Sequence, residues 1–368
     1  MPIYMDVHNI PGVAAGDVAA AHQKDMLIQH DFHCNCITYW IDIKRDTVFC
    51  LVDAPDMQAV EDMHKTSHGL VPHKIIEVQK DIVNSFLGRI YDPEDAVVDE
   101  NGLKVFTDSA FRFLLVTDVM DSVLLRYKLG KEQTEALLDR QNALIRKRIS
   151  LNDGREVEHP GNGFIVSFSS SVQALTCALE IQKGISDEDK EKSGFKIGLS
   201  AGEPVRQSDT IFGDVIRSAQ NLFSVTDHKR IVLTSQVQKL LPEDIIIKNK
   251  KQLLVLLPPD EQLVDTIFGK LEKNWQEPDF GMEQFCKVMS MSNSQLYRKS
   301  MALWGLAPNL LLKEFRLHKA RELLRSHRSN ISQTTFDAGF NSPSYFTKCF
   351  KKRFGILPAA YLTALHTA

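Results

Sequence analysis

The spacing of hydrophobic residues changes several times along the first 88 residues of the chain. Short runs of β-forming residues predict strands at 3–8, 36–43, 47–53 and 74–79. Apolar residues three and four positions apart predict helices at 16–30 and 56–67. Residues 1–88 are therefore expected to form one unit with the order β-α-β-β-α-β.

That order is the one found in ferredoxin-like α/β sandwiches. An acidic, loop-like stretch at 91–102 follows, and a second α+β unit is expected over residues 104–257. Pro258, Pro259 and a polar, helix-like linker then lead to a helical unit at 266–368. The predicted fold class is multidomain α+β followed by an all-α domain.

The helical unit contains two short helix pairs, each with a turn between its helices. The predicted helices lie at 285–288 and 294–302 in the first pair and at 331–338 and 345–354 in the second. Between the pairs, residues 309–326 have the pattern of one amphipathic helix, with Leu310, Leu317 and Leu324 on its apolar side. The pattern predicts two helix-turn-helix units held by a linker helix.

Helical spacing divides the second helix of each pair into a buried side and an exposed side. The residues predicted to be buried are Leu296, Met301, Phe346, Phe350 and Phe354. The exposed sides offer candidates for contacts with base edges in a DNA major groove: Ser294, Tyr297, Arg298, Ser344, Thr347 and Lys348. Four further residues are candidates for phosphate contacts: Lys299, Lys351, Lys352 and Arg353.

Charge is distributed unevenly along the chain. From Met282 to the end there are seven lysines and six arginines against three glutamates and one aspartate, which gives +9. The remainder carries 31 basic and 43 acidic residues, which gives −12. An acidic body joined to a basic block is typical of a protein in which one domain meets a polyanion, although a basic solvated surface would look the same.

Composition excludes several classes of protein. Hydrophobic residues at 43% and charged residues at 25% are near globular averages, so disorder and fibrous structure are not indicated. The six cysteines show no C-x-x-C spacing, and neither a signal peptide nor a membrane-length apolar stretch is evident. We expect a cytoplasmic protein with no membrane contact.

The helical unit resembles the AraC/XylS family of transcription regulators. The resemblance lies in Leu317-His-Lys-Ala-Arg-Glu-Leu-Leu324, in the run from Ala338 to Gly355, and in Pro358 and Tyr361. It implies that two recognition helices enter successive major-groove segments of double-stranded DNA. Ser290 stands where the family has a turn glycine and Thr335 where it has a small alanine, but the fold is expected to hold.

The middle unit resembles class III adenylate and guanylate cyclases. The resemblance lies in the segments 115–122, 161–164, 197–204 and 212–222. It implies two aspartates that hold metal ions, and Asp118 matches the first. The second position holds Asn162, the position of the base-reading lysine holds Glu158, and the helix of the transition-state residues holds Arg217 and Asn221.

These substitutions remove much of the charge stabilisation that the reaction needs. We therefore interpret the unit as a pseudo-cyclase without enzymatic activity, in which Asp118 is a vestigial metal position. Because class III domains pair head to tail, the resemblance implies a homodimer that could still bind a small ligand.

The N-terminal unit is rich in histidine. Its candidate metal ligands are His8, His22, His64 and His68, of which the last two are four residues apart on one predicted helix. Imidazole-rich sites suit nickel, copper or zinc, although surface histidines often bind nothing. Residues 5–8, 21–25, 49–55 and 64–70 resemble a small ferredoxin-like family with nickel-binding members.

Three functions remain open at this point. The first is a DNA-binding regulator that responds to a metal ion or small ligand. The second is a nucleotide cyclase with an appended DNA-binding domain. The third is a metal-storage or buffering protein, for which DNA binding would not depend on metal.

Overall fold

Two α+β units precede a helical unit, which confirms the predicted fold class. The computed structural model describes residues 1–100, 102–159, 163–206, 208–226, 229–326 and 330–366. No helix among these residues is both long enough and apolar enough to span a lipid bilayer.

The N-terminal unit has the predicted β-α-β-β-α-β order, with one further helix. Its elements are β1 (Ile3–Asn9), α1 (Ala15–Ile28), β2 (Asn35–Asp42), β3 (Thr47–Asp53), α2 (Met57–Ser67), β4 (Lys74–Val78) and α3 (Lys80–Leu87). The strands form an antiparallel sheet in the order β2-β3-β1-β4. This is the ferredoxin-like arrangement, and each predicted element ends within two residues of its predicted bounds.

A short hairpin and the middle unit follow. The hairpin, β5 (Val97–Val98) and β6 (Lys104–Val105), starts inside the stretch predicted as a loop. The elements of the middle unit are β7 (Arg112–Asp118), α4 (Ser122–Leu129), α5 (Lys131–Leu151), β8 (Arg155–Glu158), β9 (Ile165–Phe168), α6 (Ser171–Gly184), α7 (Asp187–Ser193), β10 (Lys196–Gly202), α8 (Gly213–Leu222), β11 (Ile231–Leu233), α9 (Ser235–Leu240), α10 (Glu243–Asn249) and β12 (Leu253–Val255).

The six strands of the middle sheet run in the order β12-β11-β10-β7-β9-β8. Strands β8, β9, β7 and β10 are antiparallel, whereas β11 and β12 add in parallel beyond β10. The first four strands thus repeat the order of the N-terminal sheet. Both α+β units are built on the same β-α-β-β-α-β plan.

One face of the N-terminal sheet packs against the middle unit. Met5 from β1 and Phe49 from β3 lie in one buried core with Leu114 and Val116 from β7 and with Phe212 beside α8. We call this the shared core. Because successive strand residues point to opposite faces, the other face of the N-terminal sheet packs on α1 and α2.

Seven helices complete the chain. They are α11 (Pro258–Asn274), α12 (Met282–Met289), α13 (Asn293–Trp304), α14 (Pro308–Arg325), α15 (Ile331–Asp337), α16 (Pro343–Phe354) and α17 (Pro358–His366). The pairs α12–α13 and α15–α16 are the two predicted helix-turn-helix units, and α14 is the linker helix between them.

Helix α11 differs from the polar linker that its composition predicts. It begins at Pro258 and runs without a break through residue 266, where the boundary of the third unit is predicted. Val264 lies in the shared core, Ile267 and Leu271 lie in the core of the first helix-turn-helix unit, and Trp275 just beyond its end lies in the core of the second. Three cores therefore meet along one helix.

Two residues predicted on apolar faces are more exposed than expected. Met301 on α13 is 38% exposed, and Leu310 on α14 is also 38% exposed. On α14 the buried positions are instead Leu311 and Leu312, together with Leu317 and Leu324 as predicted. The predicted stripe is wrong at its first residue because α14 buries different positions against each helix-turn-helix unit.

The second helix-turn-helix unit is attached to the middle unit through a buried carboxylate. Asp121 caps the start of α4 by accepting hydrogen bonds from the backbone N–H groups of Val123 and Leu124. Its Oδ2 also accepts a hydrogen bond of 2.9 Å from the hydroxyl of Tyr361 on α17 and lies 3.5 Å from Arg325. The same contact buries Val123 and Leu124 in the core of the second unit.

Replacing Tyr361 by Phe is expected to lower the free energy of unfolding by about 1–3 kcal/mol, because the buried Asp121 carboxylate loses a donor. Denaturant unfolding followed by tryptophan fluorescence measures this change. The matched control is Tyr297→Phe at a half-exposed position, which should change the free energy by less than about 0.5 kcal/mol. Equal effects of the two substitutions would contradict the role given to the Tyr361 hydroxyl.

The turn of the first helix-turn-helix unit is strained at the position where the resemblance implies glycine. Ser290 ends α12 with φ 51° and ψ 41°, in the left-handed region. A side chain in this region costs about 1–2 kcal/mol, and glycine avoids that cost. Ser290→Gly should therefore raise the free energy of unfolding by about 0.5–1 kcal/mol. Ser294→Gly, inside a helix, should lower it by a similar amount, and a loss of stability in both variants would exclude strain at Ser290.

Candidate metal cluster and DNA-binding surface

Carboxylates, imidazoles and one thiol meet on the helix-covered face of the N-terminal sheet. Asp6 and His8 lie two residues apart on β1, so both point to the same face. Asp6 pairs in register with Cys50 on the neighbouring β3. Asp25 on α1, His64 on α2 and His68 just beyond the end of α2 cover these strand residues, and we call the six residues the carboxylate–histidine cluster.

His64 is the centre of the cluster. Its Nε2 lies 3.1 Å from Asp6 Oδ2, and its Nδ1 lies 3.1 Å from Asp25 Oδ2 and 3.3 Å from His68 Nε2. Burial alone would lower the pKa of His64, but Asp6 and Asp25 raise it to about 10. In the metal-free protein His64 is therefore an imidazolium held between two carboxylates.

The pKa values of the two carboxylates are shifted in the opposite direction, below their ordinary values. Burial would raise the pKa of Asp6, but the His64 imidazolium, a hydrogen bond from His64 and the nearby His8 ring lower it below its ordinary value. Burial would likewise raise the pKa of Asp25, but hydrogen bonds from His64 and His68 lower it, with help from Ser67. The pKa of the Cys50 thiol is raised well above its ordinary value by burial and by both carboxylates.

One carboxylate oxygen is poorly satisfied. Asp6 Oδ1 is fully buried and lies 3.2 Å from His8 Nε2, yet no well-directed hydrogen bond reaches it from the described residues. Leaving a buried carboxylate oxygen without a partner is costly. Ligand atoms of Asp6, His8, Cys50 and His64 all lie within 4.8 Å of one another, as do those of Asp25, His64 and His68. Either group fits a transition-metal ion in donor type and spacing.

The structure brings together three of the four histidines that the sequence pointed to, namely His8, His64 and His68. His22 belongs to neither group of converging ligand atoms, and its ring instead lies 5.2 Å from that of Tyr39. Sequence reasoning missed Asp6 and Cys50 as donors. The two-residue spacing of Asp6 and His8 on a strand was the available signal for Asp6, whereas Cys50 required knowledge of strand pairing.

Stability of the metal-free protein should depend on pH through this cluster. The pKa of His64 is raised from 6.5, so its contribution is complete below about pH 6.5 and is lost as pH rises toward 10. The lowered pKa values of Asp6 and Asp25 make their contribution complete above about pH 4 and lost in acid. With a chelator present, the melting temperature should fall between pH 6.5 and 9.5. A flat profile, or the same fall in His64→Gln, would contradict this charge assignment.

The second part of the candidate site is the exposed surface of the helix-turn-helix units. Their second helices share one local plan with an offset of fifty residues. Ser292 and Ser342 cap α13 and α16 through their side chains, and Gly305 and Gly355 end these helices at positive φ. Leu296 and Phe346 are the corresponding buried anchors.

The predicted base-contact residues occupy equivalent positions on these two helices. On α13, Ser294, Tyr297 and Arg298 are exposed, and Arg298 Nε donates a long hydrogen bond of 3.4 Å to Ser294 O. On α16 the exposed or half-buried equivalents are Ser344, Thr347 and Lys348. The faces therefore present hydroxyl and cationic groups in the same order.

The four residues predicted to contact phosphates differ in whether their charge is paired within the protein. Lys299, Lys351 and Lys352 are exposed. Arg353 is also exposed, but its guanidinium is paired with Glu314 of α14 and lies beside His318. The ion pair of Arg353 thus connects α16 to the linker helix α14.

Two cyclase-like motif residues, Asp118 and Asn221, lie on β7 and α8. Asp118 lies at the end of β7 and is exposed. Desolvation by the surrounding protein raises the pKa of its carboxyl above the ordinary value, although Lys196 and Arg321 act to lower it. Asn221 donates a hydrogen bond of 2.9 Å to Asp265 of α11. Asn162 lies outside the described residues.

Two family models match the chain, each over part of it. A model described as a helix-turn-helix domain matches residues 285–364. A model described as nickel responsive protein SCO4226-like matches residues 4–78. These matches confirm the resemblances of the C-terminal and N-terminal units.

Curated relatives match parts of the chain. Histidine kinase P4 of Formosa agariphila is 37% identical over 102 residues, which are 28% of this chain and 7% of that protein. The HTH-type transcriptional regulator MtrA of Neisseria gonorrhoeae is 23% identical over 38% of this chain and 50% of its own length. The chain thus spans less than two thirds of either relative.

Solved structures overlap parts of the two α+β units. SCO4226 from Streptomyces coelicolor is 30% identical over 21% of this chain and 94% of its own, with a TM-score of 0.20. An adenylate cyclase from Trypanosoma brucei is 15% identical over 42% of this chain and 84% of its own, with a TM-score of 0.33. Scores this low add nothing to the interpretation of the middle unit, which rests on its motifs.

Proposed function

We propose that this protein is a sequence-specific DNA-binding transcription regulator whose N-terminal unit binds a transition-metal ion. The observation that carries the first part is the pair of helix-turn-helix units that share one local plan and expose equivalent polar and cationic faces. The helix-turn-helix family model over residues 285–364 and the match to an HTH-type regulator support it.

On DNA, different residues of the two faces make the base contacts and the phosphate contacts. Arg298 and Lys348 are long enough to reach guanine acceptors in the major groove, while Ser294, Tyr297, Ser344 and Thr347 supply shorter contacts. Lys299, Lys351 and Lys352 neutralise phosphates and add affinity that depends on salt but not on sequence. Arg353 contributes to a phosphate contact only if it leaves Glu314.

The metal proposal rests on the carboxylate–histidine cluster. Asp6, His8 and His64, with Cys50 beside them, offer the nitrogen, oxygen and sulfur donors that nickel or another transition metal accepts. An ion there would displace the His64 proton and give Asp6 Oδ1 the well-directed partner that the described residues do not provide. The match of residues 4–78 to a nickel responsive family model agrees with this choice.

Packing offers a physical connection between the cluster and DNA. Along β1, the donors Asp6 and His8 alternate with Met5 and Val7, which lie in the shared core. The side chains of Leu303 and Trp304 at the end of α13 pack against the same core, and Trp304 Nε1 donates to Ser224. An ion changes DNA binding only if its affinity differs between the arrangements of these packed elements.

We further propose that the middle unit performs no cyclisation. Asn221 donates to Asp265, Arg217 is an exposed residue 4.0 Å from Asp214, and Glu158 and Asn162 stand at two further positions of the implied catalytic machinery. We keep the predicted homodimer as part of the proposal. Helix α5 packs its buried side inside the middle unit, so the proposed dimer contact does not use that side.

The decisive experiment is selection of bound sequences from a random DNA pool by the full chain, with nickel and with a chelator. A regulator of the proposed kind enriches a bipartite sequence, and metal changes the yield or the affinity. Arg298→Ala should lose one part of that sequence, whereas Lys239→Ala, which removes an exposed cation of the middle unit, should keep both.

The alternatives give different results in the same preparation. A storage protein binds several ions per chain and shows no dependence of DNA binding on metal. A cyclase forms cyclic nucleotide from ATP or GTP with manganese. Failure to enrich any sequence, with or without metal, would reject the regulator.

A further inference from the structure

A cavity of about 160 Å³ opens beside the carboxylate–histidine cluster. His8, Asp25, Cys50 and His68 form its polar end, and His22 lies along one side. Its volume is close to that of an engineered cavity of about 150 Å³ that holds benzene. The space therefore accommodates a single ring or a branched chain of about six to eight heavy atoms.

The remaining walls are almost entirely aliphatic. They come from the loop after β1, from α1, from β3 and from the residues after α2, and they are Ile10, Pro11, Val13, Val18, Ala21, Val48 and Leu70. Transfer of an apolar body into such a space is favourable by about 25 cal/mol for each Å² removed from water. A matching ligand is thus apolar except at the end that faces the cluster.

The charged groups of the lining restrict the polar end of the ligand. Asp17 and Asp25 line the cavity, and no lysine or arginine does so among the described residues. A ligand carboxylate or phosphate would meet Asp25, and the His64 imidazolium, which is already paired with Asp6 and Asp25, is not among the lining residues. A nitrogen base, by contrast, can donate to a carboxylate as a cation or present a lone pair as the free base.

We propose that this cavity binds a small nitrogen base with an apolar body, whose nitrogen faces Asp25 and His68 and whose body lies between α1 and Leu70. Binding of the base is a property of the cavity alone. The role of the base as an effector of DNA binding rests on the proposed function, since it requires a regulator to act upon.

Binding is tested on the full chain in the presence of a chelator, by calorimetric titration with benzylamine and with 4-methylimidazole. Toluene and benzoate serve as neutral and anionic probes of similar size. We expect one molecule of each base to bind per chain, at least about tenfold more tightly than toluene, and benzoate not to bind. Equal affinity for toluene, or binding of benzoate, would overturn the proposal.

A cavity-filling variant locates the site. Ala21→Phe places a ring in the cavity from α1 and should weaken binding of both bases at least about tenfold. Gln23→Phe, at an exposed position of the same helix, adds the same ring outside the cavity and should leave binding unchanged. Undiminished binding to Ala21→Phe would place the bases elsewhere and overturn the assignment.

Metal titration and DNA selection on the same variants separate the two proposals. Ala21→Phe should still bind metal, because the substituted residue supplies no donor to the cluster. If metal and DNA binding succeed but the bases do not bind, the cavity proposal alone fails. If the bases bind but no DNA sequence is enriched, the regulator fails and the cavity proposal stands.

Discussion

Replacing Arg298 and Lys348 together by alanine is expected to abolish discrimination between the selected DNA sequence and random DNA. Each side chain offers a guanine contact worth about 1–3 kcal/mol, so the pair should cost about 2–6 kcal/mol of specific binding. Residual affinity for random DNA should persist, because the phosphate candidates Lys299, Lys351 and Lys352 remain. Fluorescence anisotropy with selected and scrambled duplexes at fixed salt measures both quantities.

The control for this result removes a phosphate candidate instead. Lys351→Ala should weaken binding to both duplexes by a similar factor and reduce the slope of log affinity against log salt by about one. A double variant that weakened both duplexes equally would show that Arg298 and Lys348 also contact phosphates, and the assignment of base contacts to these faces would then be wrong.

The second large effect concerns metal affinity. Since the pKa of His64 is raised to about 10, an ion that uses this imidazole must displace its proton at neutral pH. The apparent association constant should therefore rise about tenfold for each pH unit between 7 and 9. Calorimetry in buffers with different ionisation enthalpies should show at least one proton released for each ion bound.

Substitutions identify the residue that releases the proton. His64→Ala should abolish tight binding, and His68→Ala, at the edge of the cluster, gives a second variant with less disturbance of the buried carboxylates. His30→Ala removes an exposed histidine outside the cluster and should bind metal like the unchanged protein. Tight, pH-independent binding by His64→Ala would exclude the cluster as the metal site.

Local patterns carry much of the information that defines the N-terminal and C-terminal units. The strands of the N-terminal unit are short runs of β-forming residues that are buried along most of their length, so their bounds can be read within two residues. The caps and glycines around α13 and α16 mark both recognition helices. These features depend on residues close together in the chain, which is why a single sequence suffices to predict them.

Contacts between residues far apart in the chain account for the structural features that the hydrophobic pattern of the sequence does not predict. Helix α11 looks polar because it buries only one residue in four or so, and these residues are divided between two cores, with Val264 in one and Ile267 in the other. Leu310 and Met301 fit an apolar stripe but face no partner that covers them fully. Cys50 reaches the cluster only through its pairing with Asp6 on another strand.

The position of α11 at three cores has a consequence for how this chain can be dissected. The segment that a family model recognises begins at residue 285, yet Phe285 and Leu296 are buried against α11, which begins at Pro258. The segment that the family model matches is thus shorter than the segment that fills the core of the first helix-turn-helix unit. A fragment that begins at residue 285 would expose the apolar residues that α11 covers. A fragment that begins before residue 258 would retain α11 and keep these residues buried.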